Sequence, residues 1–163
     1  MTKPLYFVAF KGTSWTSRLQ RFFTRSDYSH IAYLPVRFQS DLIEAWHIDG
    51  KLRWGFSCFA NHTSGTPYEV WCLEVPDEIH RDVNDDHLFI ARNQIGYDYW
   101  GVASFVLKIT KDDPRKLFCS EGCIRKLAEL KRWNKIRPEH VSPEDFVRIV
   151  QAAGGRMVET GAV

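Results

Sequence analysis

The spacing of apolar positions changes about half-way along the chain and separates two kinds of element. Residues 5–10 (Leu-Tyr-Phe-Val-Ala-Phe) form an unbroken aromatic and branched run closed by Lys11-Gly12, which predicts a buried strand. Ser14 is placed to cap a short helix over residues 14–24, with Trp15, Leu19, Phe22 and Phe23 on one stripe. Residues 29–36 and 41–47 read as two further strands, and Asp49-Gly50 predicts a hairpin turn into a strand over residues 51–59. Residues 61–67 are loop by composition, and residues 68–75 (Tyr-Glu-Val-Trp-Cys-Leu-Glu-Val) make another strand that Pro76 ends.

From there the period becomes helical. Residues 82–94 read as a helix capped by Asp82 or Asn84 and ended near Gly96. A mixed apolar segment over residues 97–109 also reads as helix, followed by a Lys111-Asp-Asp-Pro loop. Residues 118–133 give the strongest helical pattern, with Cys123, Leu127 and Leu130 on one face and Arg125, Lys126 and Lys131 largely off it. Ser142-Pro-Glu-Asp has the form of a helix start, a serine cap with proline in the first turn and an acid three residues on. That helix is expected to reach Ala153 and stop at Gly154-Gly155. Strands come first and helices later, so the expected class is α+β, an antiparallel sheet packed against helices in one domain over residues 1–163.

Composition narrows the function classes. The 163 residues are 44% apolar and 26% charged, which describes a globular chain. Lys and Arg number 22 against 20 Asp and Glu, a net charge of +2 that argues against a general nucleic-acid binder. No stretch approaches the ~20 apolar residues that span a bilayer, and the start reads as a first strand, not a signal peptide. Four cysteines, Cys58, Cys72, Cys119 and Cys123, are too few for a disulfide scaffold at this length, so reduced thiols in a cytoplasm are expected.

Three stretches concentrate reactive side chains: Tyr28-Ser-His-Ile-Ala-Tyr, Leu42-Ile-Glu-Ala-Trp-His and Leu117-Phe-Cys-Ser-Glu-Gly-Cys. Cys119 enters a helix, where unpaired backbone N–H groups and the positive end of the helix dipole stabilise a thiolate. His30 begins an apolar strand and is the candidate base; on its own it reads first as a half-buried strand histidine satisfied by a backbone carbonyl. Glu44 interrupts a run that wants burial, which is costly unless the carboxylate is paired. If the strands of His30 and Glu44 are neighbours, Glu44 can hold the second ring nitrogen; otherwise it points to water. The competing constellation is zinc, held by Cys119 and Cys123 with His30, or by Cys58 with His62. His47, His80, His87 and His140 lie beside charged residues or in loops and are expected to be exposed.

The order His30, Glu44, Phe118-Cys-Ser-Glu resembles the circularly permuted papain-like enzymes of the NlpC-type superfamily, especially the YiiX-like branch. Phe10-Lys-Gly-Thr with Tyr28-Ser-His-Ile-Ala-Tyr looks like the family's opening, Ile43-Glu-Ala its second-strand acid and Leu117-Phe-Cys-Ser-Glu its nucleophile helix. Gly96-Tyr-Asp-Tyr-Trp-Gly and Val141-Ser-Pro-Glu-Asp-Phe resemble the aromatic segment before the cysteine and the closing helix. The resemblance implies a thiol-dependent hydrolase or acyl transferase with Cys119 as nucleophile, His30 as base and Glu44 as orienting acid. It implies an oxyanion hole that includes the Cys119 backbone N–H, no cofactor and no metal. Tyr97 is a further candidate beside the site, with Tyr99 competing for the role. Cys123 is outside the pattern, as core or as a resolving thiol, and Ser120 and Glu121 read as helix-start residues. The expected substrate is a small peptide or amide, of cell-wall type among others. Lipid-like acyl substrates are the alternative, and a catalytically silent binding module is the second class.

Overall fold

The computed structural model describes residues 1–13, 26–36, 41–98 and 116–163. Among them, eight strands form one sheet and three helices pack against it, an α+β architecture. The strands are β1 (Thr2–Phe10), β2 (His30–Leu34), β3 (Asp41–Ile48), β4 (Lys51–Cys58), β5 (Pro67–Pro76), β6 (Gly96–Tyr97), β7 (Lys116–Leu117) and β8 (Arg156–Ala162). Their order across the sheet is β7-β6-β4-β3-β2-β1-β5-β8. Every neighbouring pair is antiparallel except β6 and β7.

β1 pairs with β2 and β5 along its two edges, and its aromatic run is buried on both faces because an apolar cluster lies on each. Leu5, Phe7 and Ala9 point into the larger core with Ile31, Tyr33 and Ile43, under the helices; Val8 and Phe10 join Ala32, Leu34 and Leu42 in a smaller cluster on the opposite face. Each such fully buried side chain contributes about 1.5–3 kcal/mol relative to exposure. The β3–β4 hairpin turns where the sequence places it. Asp49 and Gly50 have φ of 49° and 73°, the left-handed pair that a two-residue turn of this kind requires.

Helix α1 (Asp77–Arg92) buries Val83, His87, Ile90 and Ala91. It starts five residues before the expected Asp82, directly after Pro76, with no side-chain cap. Its first residue is tied to β1 instead: the Asp77 backbone N–H donates to Met1 O at 3.2 Å, and Lys3 Nζ lies 2.6 Å from the carboxylate. Helix α2 (Cys119–Leu130) opens where Glu121 accepts from the Phe118 backbone N–H at 3.3 Å. Ser120 Oγ donates to Val141 O at 2.5 Å. Helix α3 (Pro143–Ala152) has the expected cap, Ser142 Oγ accepting from the Asp145 N–H at 3.1 Å. It ends at Gly154, whose φ of 90° turns the chain into β8, a strand the apolar pattern does not predict.

Two further expectations change. Gly96–Tyr97 is a short strand and not the start of a helix. His87 is fully buried and not exposed, since it sits on the stripe Val83, His87, Ile90 that faces the core. The expected helix over residues 14–24, the Lys111-Asp-Asp-Pro loop, Tyr99 and most of the 97–109 segment lie outside the described residues. Among the described residues no helix is long and apolar enough to cross a membrane.

Candidate active site

Strand order brings the three candidate residues together. β2 and β3 are neighbours that share the register pair Tyr33–Ile43; His30 and Glu44 both lie to the same side of it. Helix α2 packs on β2 with Cys119 as its first residue. His30 Nε2 lies 2.7 Å from Glu44 Oε2, and the Cys119 thiol lies beside the same imidazole, close enough to raise its pKa. With Nε2 given to the carboxylate, Nδ1 is the nitrogen left for sulfur. The backbone N–H groups of Ile31 and Ser120 also lie beside the thiol and favour its ionised form.

The electrostatics follow from this packing. Burial is the largest influence on His30 and opposes its charged form. The hydrogen bonds to Cys119 and Glu44 and their negative charges outweigh it, raising the imidazole from 6.5 to about 10. Burial likewise pushes the Cys119 thiol up, but the hydrogen bond and charge of His30 with the two backbone donors bring it below its ordinary 9.0. Glu44 is 1% exposed. Burial alone would raise its pKa; hydrogen bonds and positive charge from His30 and His62 hold it at about 2. Cys123 differs. Burial, with the charges of Cys119 and Glu44, raises it well above 9.0, and it packs as a core thiol.

His30, Glu44 and Tyr97 line a cavity of about 480 Å³ on the sheet's rim. That is within the usual range for a small-molecule site. Cys119 is 1% exposed and is not part of this lining; it lies behind His30. Asn61, Thr63, Trp46 and His47 are among the other polar residues of the wall.

His62 is the residue that sequence reasoning assigned elsewhere. Its Nε2 lies 3.1 Å from each oxygen of Glu44, so the pairing with Cys58 for a metal is replaced by a pairing with the carboxylate. Among the described residues no group of three or more His, Cys, Asp or Glu is arranged to hold a metal ion. His62 lies only four residues after Cys58, in a loop, and the local sequence holds no sign of Glu44 across the site. Glu121 starts α2 as expected, accepting from the Phe118 N–H, whereas the Ser120 hydroxyl reaches out of the helix to Val141 O. No known family model matches the chain, and no curated protein matches it as a relative.

Proposed function

We propose that the chain is a thiol-dependent hydrolase of the circularly permuted papain-like plan that its motifs resemble, acting on peptide or amide substrates. The observation that carries this reading is one imidazole, His30, paired with a buried carboxylate and placed beside a helix-start thiol. The raised His30 and lowered Cys119 favour a thiolate–imidazolium pair, the reactive form of a cysteine nucleophile.

In the first half-reaction Cys119 Sγ bonds to the acyl carbon, the C–N bond breaks, and the His30 proton goes to the departing amine. The oxyanion formed on the way is met by the Cys119 backbone N–H, one of the donors that a helix start leaves without an intrahelical partner. In the second, His30 takes a proton from water, whose oxygen bonds to the acyl carbon. The C–S bond breaks, and the acid leaves. Glu44 keeps Nε2 of His30 protonated and compensates the imidazolium charge throughout.

A panel of peptide amides and acyl esters tests this reading with wild type and Cys119→Ala. Turnover of amides that disappears in Cys119→Ala supports it, and turnover confined to acyl esters moves the substrate class to lipid-like acyl transfer. Turnover of a confirmed substrate that survives Cys119→Ala overturns the nucleophile. Binding to a panel member without turnover leads instead to a silent binding module.

A further inference from the structure

We propose that His62 is a positioning residue of this site, a second imidazole that straddles the Glu44 carboxylate and fixes its rotation toward His30. The inference rests on the thiol-hydrolase reading and adds a fourth side chain to it. A carboxylate bonded through one oxygen can swing about its last side-chain bond. Glu44 is held through both: Oε2 faces His30 Nε2 at 2.7 Å, and His62 Nε2 is equidistant from Oε1 and Oε2 at 3.1 Å. Glu44 can accept from two rings only if both Nε2 atoms carry hydrogen, so the arrangement also sets the tautomer of each neutral imidazole.

The His62 ring is fixed by its own surroundings. It stacks on Phe10 with centroids 3.8 Å apart and planes 14° from parallel. Phe10 is 1% exposed and is the register partner of His30, whose ring it also flanks at 6.1 Å. The turn that carries His62 is tied on both sides: the His62 N–H donates to Phe59 O at 3.0 Å, and Asn61 Nδ2 donates to Ser57 Oγ at 3.0 Å. One buried phenyl ring therefore supports both imidazoles, and one carboxylate joins them. The titratable groups around that carboxylate are His30 from β2, His62 from the turn after β4, and Cys119 and Cys123 from α2.

Without His62, a buried carboxylate oxygen loses its donor, and the negative form becomes harder to hold. Glu44 then protonates at higher pH. Once neutral it no longer compensates the His30 imidazolium, and the Cys119 thiolate is lost with it. The acid limb of Cys119 reactivity therefore moves up in His62→Leu.

The experiment is the rate of iodoacetamide alkylation at Cys119 from pH 2 to 9, read by peptide mass spectrometry, with half-buried Cys58 as internal reference. It compares wild type, His62→Leu and His62→Gln, the last keeping an N–H donor near the position of Nε2. The expected result is an acid limb about one pH unit higher in His62→Leu, a roughly tenfold slower reaction on that limb, and recovery in His62→Gln. A His62→Leu protein that melts at lower temperature yet keeps the wild-type profile makes His62 a packing residue on Phe10 and overturns the inference alone. A His62→Gln protein that folds but tracks His62→Leu overturns the hydrogen-bond role in the same way. Wild-type Cys119 that reacts only like Cys58 overturns the hydrolase reading and this inference together.

Discussion

Replacing Gly122 by alanine probes what holds helix α2, which begins with Cys119, in place. Gly122 is the fourth residue of α2, and its backbone N–H donates to Phe118 O at 3.0 Å. A Cβ built there would lie 2.6 Å from Trp54 Cη2 and 2.9 Å from Cε2, with Cζ2 closer still. Trp54 has little room to yield: it is fully buried, and its indole N–H donates to Leu117 O at 3.0 Å. Alanine gains about 1 kcal/mol in helix propensity over glycine. Forcing a methyl group into a packed core costs about 1–3 kcal/mol. The balance is a net loss of up to about 2 kcal/mol, read as a lower urea midpoint at unchanged slope. The helix start must also back away from β4, carrying Cys119 from His30, so alkylation of Cys119 near pH 6 falls with stability. In a Trp54→Phe background the clash is removed and Gly122→Ala becomes neutral or stabilising, a coupling that a double-mutant cycle reports. Equal or greater stability of Gly122→Ala in the wild-type background would refute the reasoning.

Two other perturbations have outcomes set by the geometry. Burial first, against a hydrogen bond to Val83 O, lowers His87 from 6.5 to about 4, so the folded state keeps the ring neutral while the unfolded chain takes up a proton. Stability from this group is complete above pH 6.5 and is lost as pH falls toward 4, about 2–3 kcal/mol by pH 4.5. In His87→Leu that component of the slope is absent, as urea midpoints at pH 7 and 4.5 would record. Glu44→Gln keeps the shape but removes the charge beside His30; exchanging a charge-assisted for a neutral hydrogen bond forfeits about 1–2 kcal/mol. Cys119 alkylation at pH 6 then drops tenfold or more while the melting temperature changes little, because a desolvated charge has gone too. A profile identical to wild type would remove Glu44 from the site.

What could be read from the chain was what burial writes into it. β1 and β5 stand inside the sheet with buried faces and are legible as aromatic runs; the Asp49-Gly50 turn and the Ser142 cap are local chemistry with local signatures. β8 was not legible because it is an edge strand held to β5 by backbone pairing, with Arg156 and Met157 exposed. The start of α1 misleads since its first turn has no cap and is anchored by Lys3 and Met1 from the far end of β1. His87 was missed for another reason: the expected helix over residues 82–94 already held the Val83–His87–Ile90 stripe, but the neighbouring Asp85 and Asp86 marked the histidine as exposed. For the site, residue types and order pointed to Cys119, His30 and Glu44 because a carboxylate inside an apolar strand needs a partner. His62 was out of reach, since only the return of the chain after β4 brings it to Glu44, a contact 18 residues apart in sequence.

The most direct test of the central claim is the pH dependence of alkylation at each cysteine of the folded protein, in wild type and His30→Ala. If Cys119 and His30 form an ion pair, Cys119 reacts well below pH 8 while Cys58 does not, and His30→Ala removes that low-pH reactivity. A Cys119 that stays inert until the chain unfolds, or reacts alike with and without His30, would contradict the account.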